Sequence, residues 1–115
     1  MPATAESPLP AVPMPALNAD AVFFALGHPG RRRLLESQAQ RRSCTAAELV
    51  PGGGLKRDST SKQLQELVKA GLMTMTADAK DAHRQRYTLH PGLTAAKSAA
   101  GMWEMDLGFC VMRWA

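Results

Sequence analysis

A chain of 115 residues allows one domain, and a domain this small buries only a moderate core by itself, which leaves room for association with a partner. The 14 Lys and Arg against 10 Asp and Glu give a net charge of +4, an excess compatible with nucleic acid but too mild to require it. Two distant cysteines, Cys44 and Cys110, with no CxxC give no basis for a disulfide framework or zinc knuckle, and no run approaches the roughly 18 apolar residues of a membrane span.

Pro2, Pro8, Pro10, Pro13 and Pro15 punctuate the first residues, so 1–16 reads as a disordered Pro/Ala-rich tail. It lacks the basic region and continuous apolar core of a signal peptide, which makes a soluble, cytoplasmic chain the expectation. Asn18 is a good N-cap for a first helix through Phe23, Phe24 and Leu26. That helix is apolar around most of its circumference, so one side is expected to meet a second subunit. Gly27-His28-Pro29 breaks it, and Pro29 suits the first position of a second helix over GRRRLLESQAQ. Arg31, Arg32 and Arg33 sit where the helix dipole prefers anions, a local conflict that points to another use, such as phosphate contact or an ion pair with Glu36.

Thr45 and Glu48 have capping-box spacing at the start of a short third helix, which Pro51 and Gly52–Gly54 are expected to stop. The glycine run lacks P-loop spacing and reads as an interhelical turn somewhat longer than the tightest 3–4 residue form. A fourth helix follows in LKRDSTSKQLQELVKAGL. Thr60, Leu64, Leu67 and Val68 fall on its inward side, whereas Asp58, Ser59, Lys62 and Glu66 point away, with Gln63 on the flank. Helix, turn and helix in this order, preceded by Lys56 and Arg57, suit the major groove of DNA.

After Gly71 the period becomes alternating. Leu72–Thr76 and HRQRYTL form a predicted hairpin around a polar tip, with Arg84 and Arg86 on an outward face and Lys80 at the tip. Between Arg31 and Arg86 lie 12 basic and 6 acidic residues, a local +6. Leu93, Ala96, Ala100 and Trp103 then recur at helical spacing, predicting a C-terminal helix with a seam of mostly small residues. DLGFCVMRWA reads as a strand or buried tail. The fold class expected is therefore mainly α with a small β-hairpin: tail 1–16, a helix-turn-helix domain over 17–90, and a dimerisation helix with apolar tail over 91–115.

Four segments in sequence, ALGHPGRRRLL, TAAELV, DSTSKQLQELVKAGLM and the hairpin ending in RYTL, resemble the opening, short helix, recognition helix and wing of the ArsR/SmtB-type winged helix-turn-helix repressors of bacteria. The resemblance covers somewhat over half of the chain. It implies a homodimeric repressor bound to double-stranded DNA, with the first and last helices at the dimer interface. Ser59, Thr60, Lys62 and Gln63 are then expected to read bases. Lys56, Arg57, Ser61, Lys80, Arg84 and Arg86 are expected to hold phosphates, and Phe23, Phe24, Leu93, Ala96, Ala100 and Trp103 to form the interface. Gln63 stands where the family often has histidine, and Thr60 where it often has an apolar residue. The Cys-x-Cys of metal-sensing members is missing, so no metal or other cofactor is implied.

No nucleophile, base and orienting acid group together, so an enzyme is not expected. Two rival readings are a winged-helix protein-interaction module and a thiol- or metal-responsive sensor using Cys44 or Cys110.

Overall fold

In the computed structural model, which describes residues 16–81 and 83–115, Asn18 opens the first helix by accepting from the N–H of Ala21 at 3.0 Å. Almost all of the predicted tail lies outside the described residues. Helix α1 spans Ala19–Leu26 and α2 spans Pro29–Arg41, with Pro29 at its first turn. His28 caps α2 by accepting through Nδ1 from the N–H of Gly30 at 3.0 Å. Gly30 is buried, and a Cβ there would stand 2.9 Å from the His28 ring and 3.0 Å from the Leu55 side chain, so any larger residue would have to displace the capping imidazole or Leu55.

A strand that the sequence reading did not foresee follows, β1 over Ser43–Thr45. Helix α3 spans Ala46–Gly53 and begins with the expected capping box: Glu48 N–H donates to the Thr45 hydroxyl at 3.4 Å, and Thr45 N–H donates to the Glu48 carboxylate at 2.8 Å. Pro51 does not stop this helix. The chain stays helical to Gly53 and leaves through Gly54 in the left-handed region at φ 69°, so the turn before α4 (Arg57–Lys69) is only Gly54–Lys56. The interhelical turn is thus tighter than the glycine run implied.

Strands β2 (Met73–Ala77) and β3 (Gln85–Leu89) pair antiparallel with Met75 opposite Tyr87, and β1 pairs with the other side of β3, giving the order β1-β3-β2. Leu34 and Leu35 of α2, Leu49 of α3, Leu64 and Leu67 of α4, and Leu72, Tyr87 and Leu89 meet in one core.

The predicted C-terminal helix is absent. Residues 91–115 instead form an antiparallel meander, β4 (Ala95–Lys97), β5 (Trp103–Asp106) and β6 (Val111–Trp114), so the fold is mixed α/β and not mainly α. Its turns explain the difference. Gly101 and Gly108 both take left-handed backbone, at φ 84° and 92°. Ser98 accepts from the N–H of Met102 at 3.2 Å and Asp106 from the N–H of Gly108 at 2.8 Å. Such turn chemistry outweighs the helix propensity of the intervening alanines, and WEMD and VMRW then alternate at strand period. Trp103 and Met105 lie opposite Trp114 and Met112 on the inward face, while Glu104 pairs with Arg113 at 3.0 Å on the outer one.

Gln38, fully buried in α2, donates through Nε2 to the carbonyls of Arg42 at 2.6 Å and Tyr87 at 2.9 Å, tying the end of α2 to β3. Replacing Gln38 with Met, similar in volume but without a donor, should destabilise the fold by about 1–3 kcal/mol. A urea denaturation midpoint lowered at unchanged slope is the expected result.

Candidate nucleic-acid interface

Helix α4 is fixed by its inner side. Thr60, Leu64 and Leu67 are all completely buried, and the Thr60 hydroxyl donates to the carbonyl of Lys56 at 2.8 Å. Thr60 therefore cannot reach a base, which corrects its inclusion among the base readers. Its hydroxyl is spent on its own helix, as is common for threonine inside a helical turn. The opposite side exposes Asp58, Lys62, Gln65 and Lys69, a stripe at i, i+4, i+7 and i+11. Gln65 belongs to this surface and was missed, although the same helical wheel contains it. Ser59, Ser61 and Gln63 are half-buried on the flanks.

The N-terminal end of α4 is the positive end of its dipole, and Lys56 and Arg57 are exposed there. Neither side chain has a partner among the described residues. Across from it, the loop joining β2 to β3 carries Lys80 and Arg84, both exposed, with Arg84 only 3.5 Å from Asp81 in open solvent. Between the two runs a cleft of about 190 Å³, bounded by Arg57, Ser61 and Gln65 on one side and His83, Arg84 and Gln85 on the other. An anion entering it would meet two guanidinium groups, a hydroxyl and two amides. His83 and Gln85 were not singled out from sequence, because only the hairpin's register turns them toward α4.

Arg86 does something different from its neighbour. Its Nε donates to Asp78 Oδ1 at 3.1 Å, its Nη1 reaches the Ser43 carbonyl at 3.2 Å, and Glu48 lies 3.9 Å away. This guanidinium ties β3 to β1, to α3 and to the hairpin loop, so it is committed to the fold and not free for phosphate. The Arg86 hydrogen bond holds the Asp78 carboxyl below its ordinary range. Backbone donation from Thr45 similarly lowers that of Glu48.

The arginines at the start of α2 also have a definite use. Arg31 Nη1 donates to the carbonyls of Ala25 at 3.2 Å and Phe24 at 3.4 Å, and Arg32 Nη1 donates to that of Leu26 at 2.7 Å. These are the C-terminal carbonyls of α1, of which Phe24's also accepts from the N–H of Gly27 at 3.3 Å, and cations are favourable there, so the conflict Arg31 and Arg32 bring to α2 is resolved by the helix before it. Arg31 Nε additionally donates to Gln63 Oε1 at 2.6 Å.

Among the expected interface residues, Phe23 and Phe24 are exposed at 58% and 74%. Leu93 is buried in the chain's own core, Ala96 lies on β4, Ala100 is in the turn and Trp103 stacks on Trp114 at 6.4 Å. The four-residue seam does not exist, because it presupposed the absent helix. Phe23 instead meets Phe109 edge-on at 5.3 Å, and Phe23, Leu26, Leu107, Cys110 and Met112 line an open apolar groove of about 320 Å³. Cys44 is buried, and burial pushes its thiol above the ordinary value. No three His, Cys, Asp or Glu side chains among the described residues converge as metal ligands, and no described helix is long and apolar enough to cross a membrane.

The helix-turn-helix with its flanking hairpin is a winged-helix arrangement. No family model matches the sequence, and no curated protein matches it. Among solved structures, the chain is similar to BpsR of Bordetella bronchiseptica, whose DNA binding is regulated by 6-hydroxynicotinic acid. The TM-score is 0.49 at 15% identity, over 64% of this chain and 61% of that one, so this chain spans less than two thirds of its length.

Because the folded Asp78 carboxyl is more acidic than an unfolded one, its pairing with Arg86 contributes fully above the ordinary carboxylate pKa of about 4 and is lost as pH falls through the lowered value. Asp78→Asn should therefore melt below the parent protein at pH 7, and the two melting temperatures should converge as pH falls below the ordinary carboxylate range and through the lowered value.

Proposed function

We propose that this protein is a sequence-specific DNA-binding transcriptional regulator that acts as a homodimeric repressor on a near-palindromic site. The observation that carries this reading is the placing of exposed cations that are not committed to holding the fold. Lys56 and Arg57 at the start of α4, with Lys80 and Arg84 of the hairpin, flank one exposed polar stripe that contains Lys62 and whose opposite side is locked in the core. Such a helix enters the major groove while the cations beside it neutralise phosphates on the groove walls. Ser59, Lys62 and Gln63 remain the candidate base readers, joined by Gln65. Lys56, Arg57, Ser61, Lys80 and Arg84 form the phosphate set, from which Arg86 is withdrawn. The ArsR/SmtB-type resemblance points to the same helix, with Ser59, Ser61, Lys62 and Gln63 at positions that face DNA in that family, and the protein is read as having no catalytic role.

Support for a homodimer comes from the apolar surface. Phe23 and Phe24 on α1, Phe109 in the β5–β6 turn and Val111 at the start of β6 are large side chains exposed in one chain, and Phe23 meets Phe109. A two-fold axis through them would present two copies of α4 to successive major grooves about one helical turn apart.

Fluorescence anisotropy with labelled duplexes across a salt series tests the reading. A steep log–log slope is expected. Arg84→Ala should flatten it by about one unit per subunit, whereas Arg86→Ala should leave the slope nearly unchanged and lower the melting temperature instead. Failure to bind any duplex at low salt would favour the protein-interaction module. Val111→Glu, a substitution at an exposed site, should convert a dimer to a monomer in analytical ultracentrifugation and weaken DNA binding.

A further inference from the structure

Gln63 is the residue of α4 whose chemistry the sequence leaves most open, since a free glutamine pairs naturally with adenine, accepting from N6 through its oxygen and donating to N7 through its nitrogen. In the folded chain that oxygen is engaged. Arg31 Nε, which can only donate, lies 2.6 Å from Gln63 Oε1, a short charge-assisted contact that also fixes which end of the amide is oxygen. Arg31 is itself held from three directions, by the carbonyls of Phe24 and Ala25 and by the Phe24 ring, whose centroid lies 5.6 Å from the guanidinium carbon. The Gln63 Nε2 amino group has no partner among the described residues and is not buried.

We infer that Arg31 is a specificity-determining residue: by holding the Gln63 oxygen and placing a positive charge beside it, it biases Gln63 toward donating to the DNA groove, matched to an acceptor-only base edge such as guanine O6/N7 rather than to adenine. The physical reason is twofold. The Nε2 end is the one left without a partner and not buried, and a guanidinium beside Oε1 repels the N6 amino group that adenine would bring to it. This rests on the reading of α4 as the DNA-reading helix, and it assigns Arg31 a positioning role without contact to a base.

A binding selection from a random duplex pool, followed by anisotropy on single-base variants of the selected site, tests it. Wild type should prefer guanine at one position of each half-site, and Gln63→Ala should flatten that position alone. Arg31→Met, which frees the amide, should move the preference there to adenine by about tenfold. Gln63→Glu keeps Arg31 bound but removes the donor, and should move the preference to cytosine, whose N4 amino group donates. It therefore decides the matter even where Arg31→Met unfolds, which circular dichroism would reveal. A wild-type adenine preference that Gln63→Ala abolishes overturns the inference. So does an Arg31→Met or Gln63→Glu protein that is folded and keeps the wild-type base profile. If wild type itself selects no duplex, the DNA-binding reading falls, and this inference falls with it.

Discussion

The candidate interface depends on how firmly one side of α4 is held. Thr60, Leu64 and Leu67 are excluded from solvent together, sandwiched against α2 and α3 with β2 leaving from the helix's far end. Truncating a buried leucine of this kind costs about 2–5 kcal/mol, so rolling α4 to expose these residues is strongly opposed. The rotation of the helix about its axis is thereby set, and with it the identity of the outward stripe. Which polar groups face solvent is a by-product of which apolar ones cannot.

Within that frame the arginines divide into distinct roles. Arg31 and Arg32 close the C-terminal end of α1, whose last carbonyls would otherwise lack donors. Arg86 is spent on Asp78 and Ser43, which fastens the hairpin to the body of the domain and so fixes where its loop stands relative to α4. Arg57 and Arg84, by contrast, stand at the two sides of one cleft with their charge uncommitted or only loosely paired. A count of basic residues treats all of these alike. Only the free ones contribute to an anion-binding surface, and the others determine its shape.

The C-terminal meander changes the character of the rest of the molecule. Its inward face adds Met105, Leu107 and Trp114 to the core. Its β5–β6 turn brings Phe109 onto Phe23, so that α1 and the last hairpin share one apolar surface where two helices were expected to do so. The surface is assembled from residues more than eighty positions apart, and neither segment alone would present it.

The sequence by itself determined the elements whose signals are local. The Asn18 cap, the Thr45–Glu48 capping box and the inward row of α4 depend on residues within two turns of one another, and the β2–β3 hairpin on two alternating runs joined by a polar loop; each is present, the strands within two residues of the pattern. Tertiary structure alone decided the remainder. Strand β1 exists because β3 offers it a partner more than forty residues away, and Arg86 turns from the presumed phosphate face because Asp78 and Ser43 come within hydrogen-bonding reach. Gln63 is biased toward donating because Arg31, thirty-two residues earlier, is brought against it. In the C-terminal segment, alanine spacing favoured a helix while two glycines in left-handed backbone and the pairing of three strands favoured a sheet. Pairing won because its hydrogen bonds and buried face come from neighbours across the fold, which no window along the chain contains.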